Sequence, residues 1–295
     1  MKYILCQPAT NRFKWELDVC LTNLKSHGIK DIVLLFQRYD DDIPLHFEKK
    51  YGAEVHVYDD LREDKSYIPS IKPYLWWKFL EEDASRENGK YFYMDSDVIF
   101  REKLDFRRLP VKDDVWYCSD CNGYLNLDYI RSCGRGEGIL HDMAEIIGVT
   151  IESLETINNN SGGAQWLIKN PTSDYWKKVY KDSNKIWKYF ETLDSNIQKW
   201  TAEMWSQLWN MMYFNIGPKV SGELDFCWAT DPIERWDEVK IMHNAGVTEG
   251  MTDLFFKGKY VETSPFDDDL SFVAKNRVSS KYVEAVQRVK TNEIT

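Results

Sequence analysis

Two aspartates, Asp95 and Asp97, stand one residue apart inside an apolar stretch that runs from Lys90 to Phe100. The aromatic and β-branched residues on both sides of them favour a buried strand whose C-terminal tip presents the two acids. Unpaired buried charge is costly, so two such carboxylates need a cation close to them. A divalent ion such as Mg²⁺ or Mn²⁺ meets that need, because one or two carboxylates commonly hold it while substrate phosphates complete its shell. The pair therefore indicates a metal and phosphate site wherever neighbouring strands end at the same place.

Three earlier strands are predicted from short apolar runs at Lys2 to Gln7, Ile32 to Phe36 and Val55 to Tyr58. Helical periodicity between these runs gives a repeated strand-helix-strand order. That order predicts an α/β fold with a single-domain, Rossmann-like, mostly parallel central sheet flanked by helices. Ligands of such sheets bind beyond the carboxyl ends of the strands. The residues at these ends that we predict to bind a nucleotide are Gln7, Ala9, Thr10, Asp59 and Asp95.

Lys72 and the paired glycines Gly162 and Gly163 each have two interpretations. Lys72 lies just ahead of a helix predicted for Tyr74 to Glu82, where it either reaches a bound phosphate or stays exposed without a ligand. The glycines precede an apolar run, Trp166 to Ile168, and permit either close approach of a ligand to the backbone or a tight turn. Donor binding is the interpretation that we carry forward for all three residues.

Two later polar residues are candidates for chemistry. The hydrophobic periodicity of residues 172 to 215 predicts two helices, and Glu203 stands near the start of the second. Its carboxylate either complements the helix dipole or acts in catalysis. Late strands are predicted around Phe226 to Ala229 and Val239 to Met242, and His243 follows them as either a structural residue or a metal ligand.

The composition is that of a globular protein, with 43% hydrophobic and 29% charged residues and a formal net charge of -10. This acidic balance gives no general attraction to nucleic acid or to an anionic membrane. The sequence has no apolar window of the roughly 20 residues that a membrane helix needs, and its N-terminus has too short an apolar core for a secretory signal. We therefore expect a cytoplasmic protein without membrane contact. A local basic run stands against the acidic balance: Arg101, Lys103, Arg107, Arg108 and Lys112.

Six cysteines are too few for a disulfide framework in a chain of 295 residues. Cys118 and Cys121, with Cys133 and His141 beyond them, allow a zinc site. The run around the first pair is strand-like and has no second tight ligand pair, which favours buried reduced thiols.

Three segments together resemble one family. Asp95-Ser96-Asp97, after a strand of aromatic residues, resembles the DxD segment of glycosyltransferases with the A-type fold. Asn160 to Gln165, with Asn170, is similar to the N-x-G-hydrophobic-N segment of glycogenin-like transferases. Met242 to Gly246 is similar to their late H-x-x-G segment. The resemblance spans about residues 1 to 250.

The resemblance implies a metal-dependent glycosyltransferase, either a hexosyl- or a pentosyltransferase. Its donor is implied to be a nucleoside-diphosphate sugar, with a UDP-sugar preferred, and its cofactor Mn²⁺ or Mg²⁺. Asp97 and His243 are the implied metal ligands, and Asp95 is implied to bind the metal directly or through water and to reach the ribose. An imidazole among the ligands favours Mn²⁺ over Mg²⁺.

The chain also departs from the family's pattern. The lysine after the late glycine is absent, because Val247-Thr248-Glu249 stand there, and Lys257 or Lys259 is the expected substitute. Glu203 is the match for an acidic residue on the helix after the glycine segment, and Gln165 belongs to that segment; the resemblance gives both a catalytic role. With one acidic match, retaining and inverting transfer both stay open.

The chain also resembles small glycosyltransferases encoded by bacteriophages, which decorate modified DNA bases, virion proteins or host surface polymers. The acceptor is accordingly DNA, a protein or a glycan. We treat residues 1–295 as one glycosyltransferase-like domain. Residues 1–100 form its nucleotide-binding half, residues 101–250 its acceptor-binding and metal-completing half, and residues 251–295 a C-terminal extension.

Two other functions are compatible with the same fold. A nucleotidyltransferase would use the same sheet and acids, but no Gly-rich basic loop follows the first strand, since Gln7 to Phe13 hold no glycine. A non-catalytic nucleotide- or sugar-binding protein has no need to keep Asp95, Asp97 and His243 together.

Overall fold

The computed structural model describes residues 1–294, and a seven-stranded sheet forms its centre. The strands run in the order β3-β2-β1-β4-β7-β6-β8, and a second sheet has the order β5-β10-β9. In the central sheet β7 is antiparallel to both neighbours, and the other pairings are parallel. The predicted α/β fold with a mostly parallel central sheet is confirmed. The strands are β1 (Lys2–Pro8), β2 (Ile32–Gln37), β3 (Glu54–Tyr58), β4 (Lys90–Tyr93), β5 (Val98–Phe100), β6 (Val115–Asp120), β7 (Gly162–Lys169), β8 (Gly217–Val220), β9 (Phe226–Trp228) and β10 (Ile241–His243).

Helices connect these strands and cover the central sheet. The most extensive contacts between helices join α8 to α9 and α3 to α8. The helices are α1 (Asn11–Ser26), α2 (Asp42–Tyr51), α3 (Ile71–Glu82), α4 (Asn122–Leu125), α5 (Leu127–Ser132), α6 (Gly136–Ile147), α7 (Ile151–Glu155), α8 (Ser173–Glu191), α9 (Ala202–Tyr213), α10 (Arg235–Glu238) and α11 (Ser279–Ile294).

The first elements follow directly from local sequence. The six residues of β2 are all buried, as a continuous apolar run in a covered parallel strand should be. Helix α1 begins after Thr10, and α2 ends at Gly52, whose φ of 67° lies in the left-handed region that favours glycine. The parallel register of β1, β2, β3 and β4 brings their carboxyl ends to one edge of the sheet.

The apolar stretch from Lys90 to Phe100 presents the acids just beyond the end of its first strand, β4, as predicted, but it forms two strands, because the chain leaves the central sheet after Tyr93. Val98–Phe100 form β5 of the second sheet, where Val98 pairs with His243 in antiparallel register. Ile99 then packs in a second hydrophobic cluster, which includes Trp15 and Tyr282. The two acids therefore lie in a crossover loop between two sheets.

Three further features of the described residues concern the helices and the cysteines. The helices predicted between residues 172 and 215 are confirmed as α8 and α9, and the polar residues Glu203, Gln207 and Asn210 of α9 are buried together with its apolar ones. The six cysteines are all buried and free of disulfide bonds. No helix within residues 1–294 combines the length and the apolar character that crossing a bilayer requires.

Candidate functional site

Asp95, Asp97 and His243 come together where the central sheet meets the second sheet. The imidazole Nε2 of His243 lies 3.1 Å from Oδ1 of Asp97 and 3.7 Å from Oδ2 of Asp95. One potential ligand atom of each residue lies within 4.8 Å of the others. Within residues 1–294, no comparable group of three includes Cys118 or Cys121. The structure thus brings together the three residues that the sequence assigns to a metal.

The backbone fixes this arrangement. The N–H of Asn244, directly after β10, donates a hydrogen bond of 2.9 Å to the carbonyl of Asp97. The Trp228 ring stacks on the His243 imidazole, with centroids 5.7 Å apart and an angle of 18° between the planes. His243 reaches the acids because β10 pairs with β5, which follows Asp97 in the chain.

Two lysines neutralise the acids. The Nζ of Lys72 lies 2.7 Å from Oδ1 of Asp95, and the ammonium of Lys257 pairs with Oδ2 of Asp97. Burial alone raises the pKa of Asp97, but Lys257 and His243 outweigh this and hold the pKa well below its ordinary value. Burial lowers the pKa of each lysine, but the neighbouring carboxylates outweigh it and raise both above the ordinary value.

The prediction that Lys72 precedes its helix is wrong, because α3 begins at Ile71 and includes it. A proline in the first turn needs no hydrogen-bond partner for its nitrogen, so the helix is free to start before Pro73. The Lys72 ammonium consequently points at Asp95 from inside the first turn.

The donor set fits a divalent cation. Two carboxylates and one imidazole are ligands that suit Mn²⁺, whereas Mg²⁺ prefers oxygen ligands alone. Unpartnered polar atoms adjoin this set: Nδ1 of His243 and both side-chain polar atoms of Asn244 are buried without a hydrogen bond. Buried polar groups normally have partners, so these atoms mark a place that the folded chain alone does not complete.

Glu203 belongs to the same electrostatic cluster. Its carboxylate is buried at the start of α9, and its backbone N–H donates a hydrogen bond of 2.8 Å to the hydroxyl of Tyr67. Burial raises the pKa of Glu203 to about 7, opposed by Lys72 and reinforced by Asp95. The structure therefore places Glu203 within electrostatic reach of Asp95 and Lys72.

Gln165 and the paired glycines lie in β7, and protein atoms occupy their surroundings. The Oε1 of Gln165 accepts a hydrogen bond of 2.5 Å from Ser119, while its Nε2 is buried without a partner. A Cβ added at Gly162 would lie 1.9 Å from Sγ of Cys118, and one at Gly163 would lie 2.5 Å from Cε of Met204. Close packing within the chain thus accounts for both glycines without a tight turn.

A cleft of ≈ 360 Å³ opens beyond the carboxyl ends of β1 and β2. Tyr39, which is 66% exposed, presents its ring there. Gln7 is buried in β1 and does not line the cleft. Asp59 does not line it either, and its carboxylate pairs with Nε of Arg38 at 2.8 Å. The residues that line the cleft are Ala9, Thr10, Asn11, Tyr39, Asp40, Val261 and Glu262.

Sequence reasoning missed Glu16, which holds the loop of the acid pair. Its Oε2 accepts a hydrogen bond of 2.7 Å from the hydroxyl of Ser96, the residue between the two aspartates. A signal was present in the sequence: Glu16 falls three residues after Phe13 and four before Cys20, which places a charge on the core face of α1.

The fold matches that of known glycosyltransferases with the A-type fold. The bifunctional glycosyltransferase WbbM has a TM-score of 0.53 at 8% identity, over 100% of this chain and 51% of WbbM, so the chain spans about half its length. The galactosyltransferase LgtC, solved in complex with donor and acceptor sugar analogs, has a TM-score of 0.51 at 12% identity, over 98% of this chain and 96% of LgtC. An active-site mutant of LgtC has a TM-score of 0.52 at 14% identity. No family defined by sequence and no curated protein sequence matches the chain.

Proposed function

We propose that the protein is a metal-dependent glycosyltransferase that moves a sugar from a nucleoside-diphosphate sugar, with a UDP-sugar as the preferred donor, to an acceptor hydroxyl. One observation carries the proposal: Asp95, Asp97 and His243 group at the carboxyl end of β4, in a fold that glycosyltransferases share. Ligands of open α/β sheets bind at this edge.

The chain offers both ligands and counter-charges for such a donor. Asp97 and His243 would hold a divalent ion, Mn²⁺ by preference, with Asp95 binding it directly or through water. The ion, when bound, supplies Lewis-acid stabilisation of the charge that develops on the leaving nucleoside diphosphate. The ammonium groups of Lys72 and Lys257 lie in the same cluster and would bind phosphate oxygens.

We assign the nucleoside to the cleft beyond β1 and β2. Ala9 and Thr10 supply backbone and small side chains there, and Tyr39 offers an aromatic face on which a base stacks. Gln7 supports this edge from the end of β1. Donor contacts by Asp59, Gly162 and Gly163 stay predictions.

Glu203 is the proposed catalytic base, or an acceptor contact in a retaining reaction. A general base works best with a pKa close to the operating pH, and burial gives Glu203 a pKa of about 7. Its deprotonated form would take the proton of the acceptor hydroxyl. A catalytic role for Gln165 stays a prediction from the family resemblance, and its buried, unpartnered Nε2 supports it.

The acceptor is proposed only by class, as DNA, a protein or a glycan. The basic run after the acid pair is partly neutralised within the chain, because Asp105 lies 2.7 Å from Nε of Arg107 and 3.8 Å from Nε of Arg108. A surface that tracks DNA phosphates would have to break these pairs. A cytoplasmic location and an origin in a bacteriophage also stay predictions.

The test is a panel of nucleoside-diphosphate sugars, assayed with Mn²⁺ for donor hydrolysis and for transfer to glycans, peptides and DNA. We expect turnover of one donor, and Asp97→Asn should lower it about a hundredfold or more, since even outer partners of metal ligands cost 10–100-fold. Unchanged turnover and nucleotide binding in Asp97→Asn would contradict the metal-site assignment. Stabilisation by UDP and Mn²⁺ without turnover of any donor indicates a binding protein, and pyrophosphate release from a nucleoside triphosphate indicates a nucleotidyltransferase.

A further inference from the structure

Glu16 is a buried carboxylate that the proposed reaction does not use. Its side chain is 1% exposed on α1. Oε2 accepts a hydrogen bond of 2.7 Å from Ser96, and Oε1 accepts one of 3.0 Å from Nε of Arg12. Since Ser96 stands between Asp95 and Asp97, Glu16 ties α1 to the loop that carries both acids.

The same helix holds two other parts of the site. The indole N–H of Trp15 donates a hydrogen bond of 2.8 Å to the carbonyl of Tyr260, which lies in the 3₁₀ turn that begins at Lys257. Asn23 exchanges two hydrogen bonds, of 2.9 and 2.7 Å, with the backbone of Phe100 in β5. One helix thus fixes the acid loop, the strand after it and the turn that carries Lys257.

Lys257 interacts with two carboxylates. Its ammonium pairs with Asp97 and also interacts electrostatically with Glu16, and these carboxylates outweigh the effect of burial to raise its pKa. Each of the three carboxylates around the acid loop has a cation of its own: Asp95 pairs with Lys72, Asp97 with Lys257 and Glu16 with Arg12.

We propose that Glu16 is a positioning residue for the metal site, because its carboxylate is the counter-charge left to Lys257 when a divalent cation takes the Asp97 carboxylate. This inference rests on the proposed function, since it assigns a cation to Asp97. Without the charge of Glu16, the Lys257 ammonium depends on Asp97 and competes more strongly with the cation. The excess positive charge also repels a divalent ion while it favours a diphosphate.

The test measures binding of Mn²⁺ to the full chain, by electron paramagnetic resonance of the free ion, and separately binding of UDP without metal. Glu16→Gln keeps the shape and an acceptor for Ser96 but removes the charge. We expect about tenfold weaker Mn²⁺ binding, the scale of outer partners of metal ligands, with metal-free UDP binding unchanged or tighter. A purely structural role would weaken both.

The matched control is Asp18→Asn on the same helix. Asp18 is equally buried but faces α2, with Oδ1 2.9 Å from Nε2 of His46 and 3.1 Å from Nζ of Lys50. Its substitution should leave Mn²⁺ binding as in the wild type. A loss equal to that of Glu16→Gln would overturn the proposal, because it would assign the effect to the helix as a whole.

A second variant should change the Mn²⁺ affinity in the opposite direction, and it replaces Glu16→Gln if that variant does not fold. Arg12→Gln removes the cation on the outer side of Glu16, which makes the site more negative, and should tighten Mn²⁺ binding severalfold. Unchanged Mn²⁺ binding in both variants overturns the role of Glu16, and the proposed function still stands if Asp97→Asn abolishes Mn²⁺ binding. Wild-type Mn²⁺ binding in Asp97→Asn overturns both proposals.

Discussion

Two clusters in this protein bury a carboxylate among lysines, and they are built in opposite ways. Asp182 on α8 pairs with Nζ of Lys178 at 2.5 Å and of Lys185 at 3.1 Å, both within four residues on its own helix. Asp97 pairs with His243 and Lys257, which come from distant parts of the chain.

The number of acids also separates the two clusters. The Asp182 side chain is 1% exposed and has its partners in place once α8 forms and packs against α9. Asp97 is also buried, at 5% exposure, but a second carboxylate, Asp95, lies beside it and is 23% exposed. The first cluster therefore neutralises one acid within one helix, whereas the second brings two carboxylates and an imidazole from distant segments within 4.8 Å of one another. Asp182 is accordingly a structural acid, and Asp97 belongs to a candidate binding site.

The two clusters should differ most in stabilisation by ligand, measured as the change in unfolding free energy on adding Mn²⁺ and UDP. The wild type should gain about 2.7 kcal/mol at a ligand concentration a hundredfold above Kd. Asp97→Asn should gain nothing. Asp182→Asn should start about 1–3 kcal/mol less stable, because two lysines lose their buried partner, and should then gain as much as the wild type. An equal ligand response in the two variants would erase the distinction.

Lys257→Met tests whether the lysine and the ion share Asp97. Removing the ammonium frees an Asp97 oxygen and leaves the site more negative, so binding of Mn²⁺ alone should tighten about tenfold. Binding of UDP without metal should weaken by a similar factor, because a phosphate partner is lost. The control is Lys185→Met in the Asp182 cluster, which should change neither affinity. Parallel weakening of both ligands in Lys257→Met would assign the lysine to stability alone.

The smallest predicted effect concerns the pH dependence of Glu203. A base with a pKa of about 7 is half deprotonated at pH 7, so turnover should be about twofold lower there than at its alkaline plateau, and should fall further with acid. The profile of kcat against pH for the wild type measures this limb, and Glu203→Gln should lack it in its residual activity. A limb that persists in Glu203→Gln belongs to another group.

The pH dependence of stability tests the raised pKa of Glu203 independently. Turnover should rise with pH, whereas the contribution of Glu203 to stability should fall with pH. Burial raises its pKa in the folded state from 4.5 to about 7, so the folded chain holds the proton more tightly than the unfolded chain. The contribution to stability is therefore fully present below pH 4.5 and is lost as the pH rises through 7. Glu203→Gln should be more stable relative to the wild type at pH 8 than at pH 4, as denaturant unfolding at the two pH values would measure.

Local pattern predicted much of the N-terminal part of the fold. Apolar runs with helices between them identified β1, β2 and β3, and their strand ends follow from parallel pairing. Residue type and position singled out Asp95 and Asp97, and the family resemblance added His243 as their partner; their role as metal ligands stays a prediction. These features depend on neighbouring residues in the sequence, or on the rule that ligands bind beyond the carboxyl ends of parallel strands.

The remaining features depend on contacts that no local pattern records. The run from Lys90 to Phe100 divides because Val98 pairs with His243, 145 residues further along the chain. The partners of the acids, Lys72 and Lys257, reach them from a helix and a turn whose packing the sequence does not specify locally. Gly162 looks like a ligand or turn glycine in the sequence, yet in the fold it makes room for Cys118.

A crystal structure with Mn²⁺ and UDP, with anomalous scattering collected at the manganese edge, tests most directly whether Asp97 and His243 bind a metal. We predict one strong anomalous peak at coordination distance from Asp97 and His243, with Asp95 beside it or one water away, and the Lys257 ammonium on a phosphate oxygen. An anomalous peak elsewhere, or an intact pair between Lys257 and Asp97 with UDP bound, would contradict the assignment.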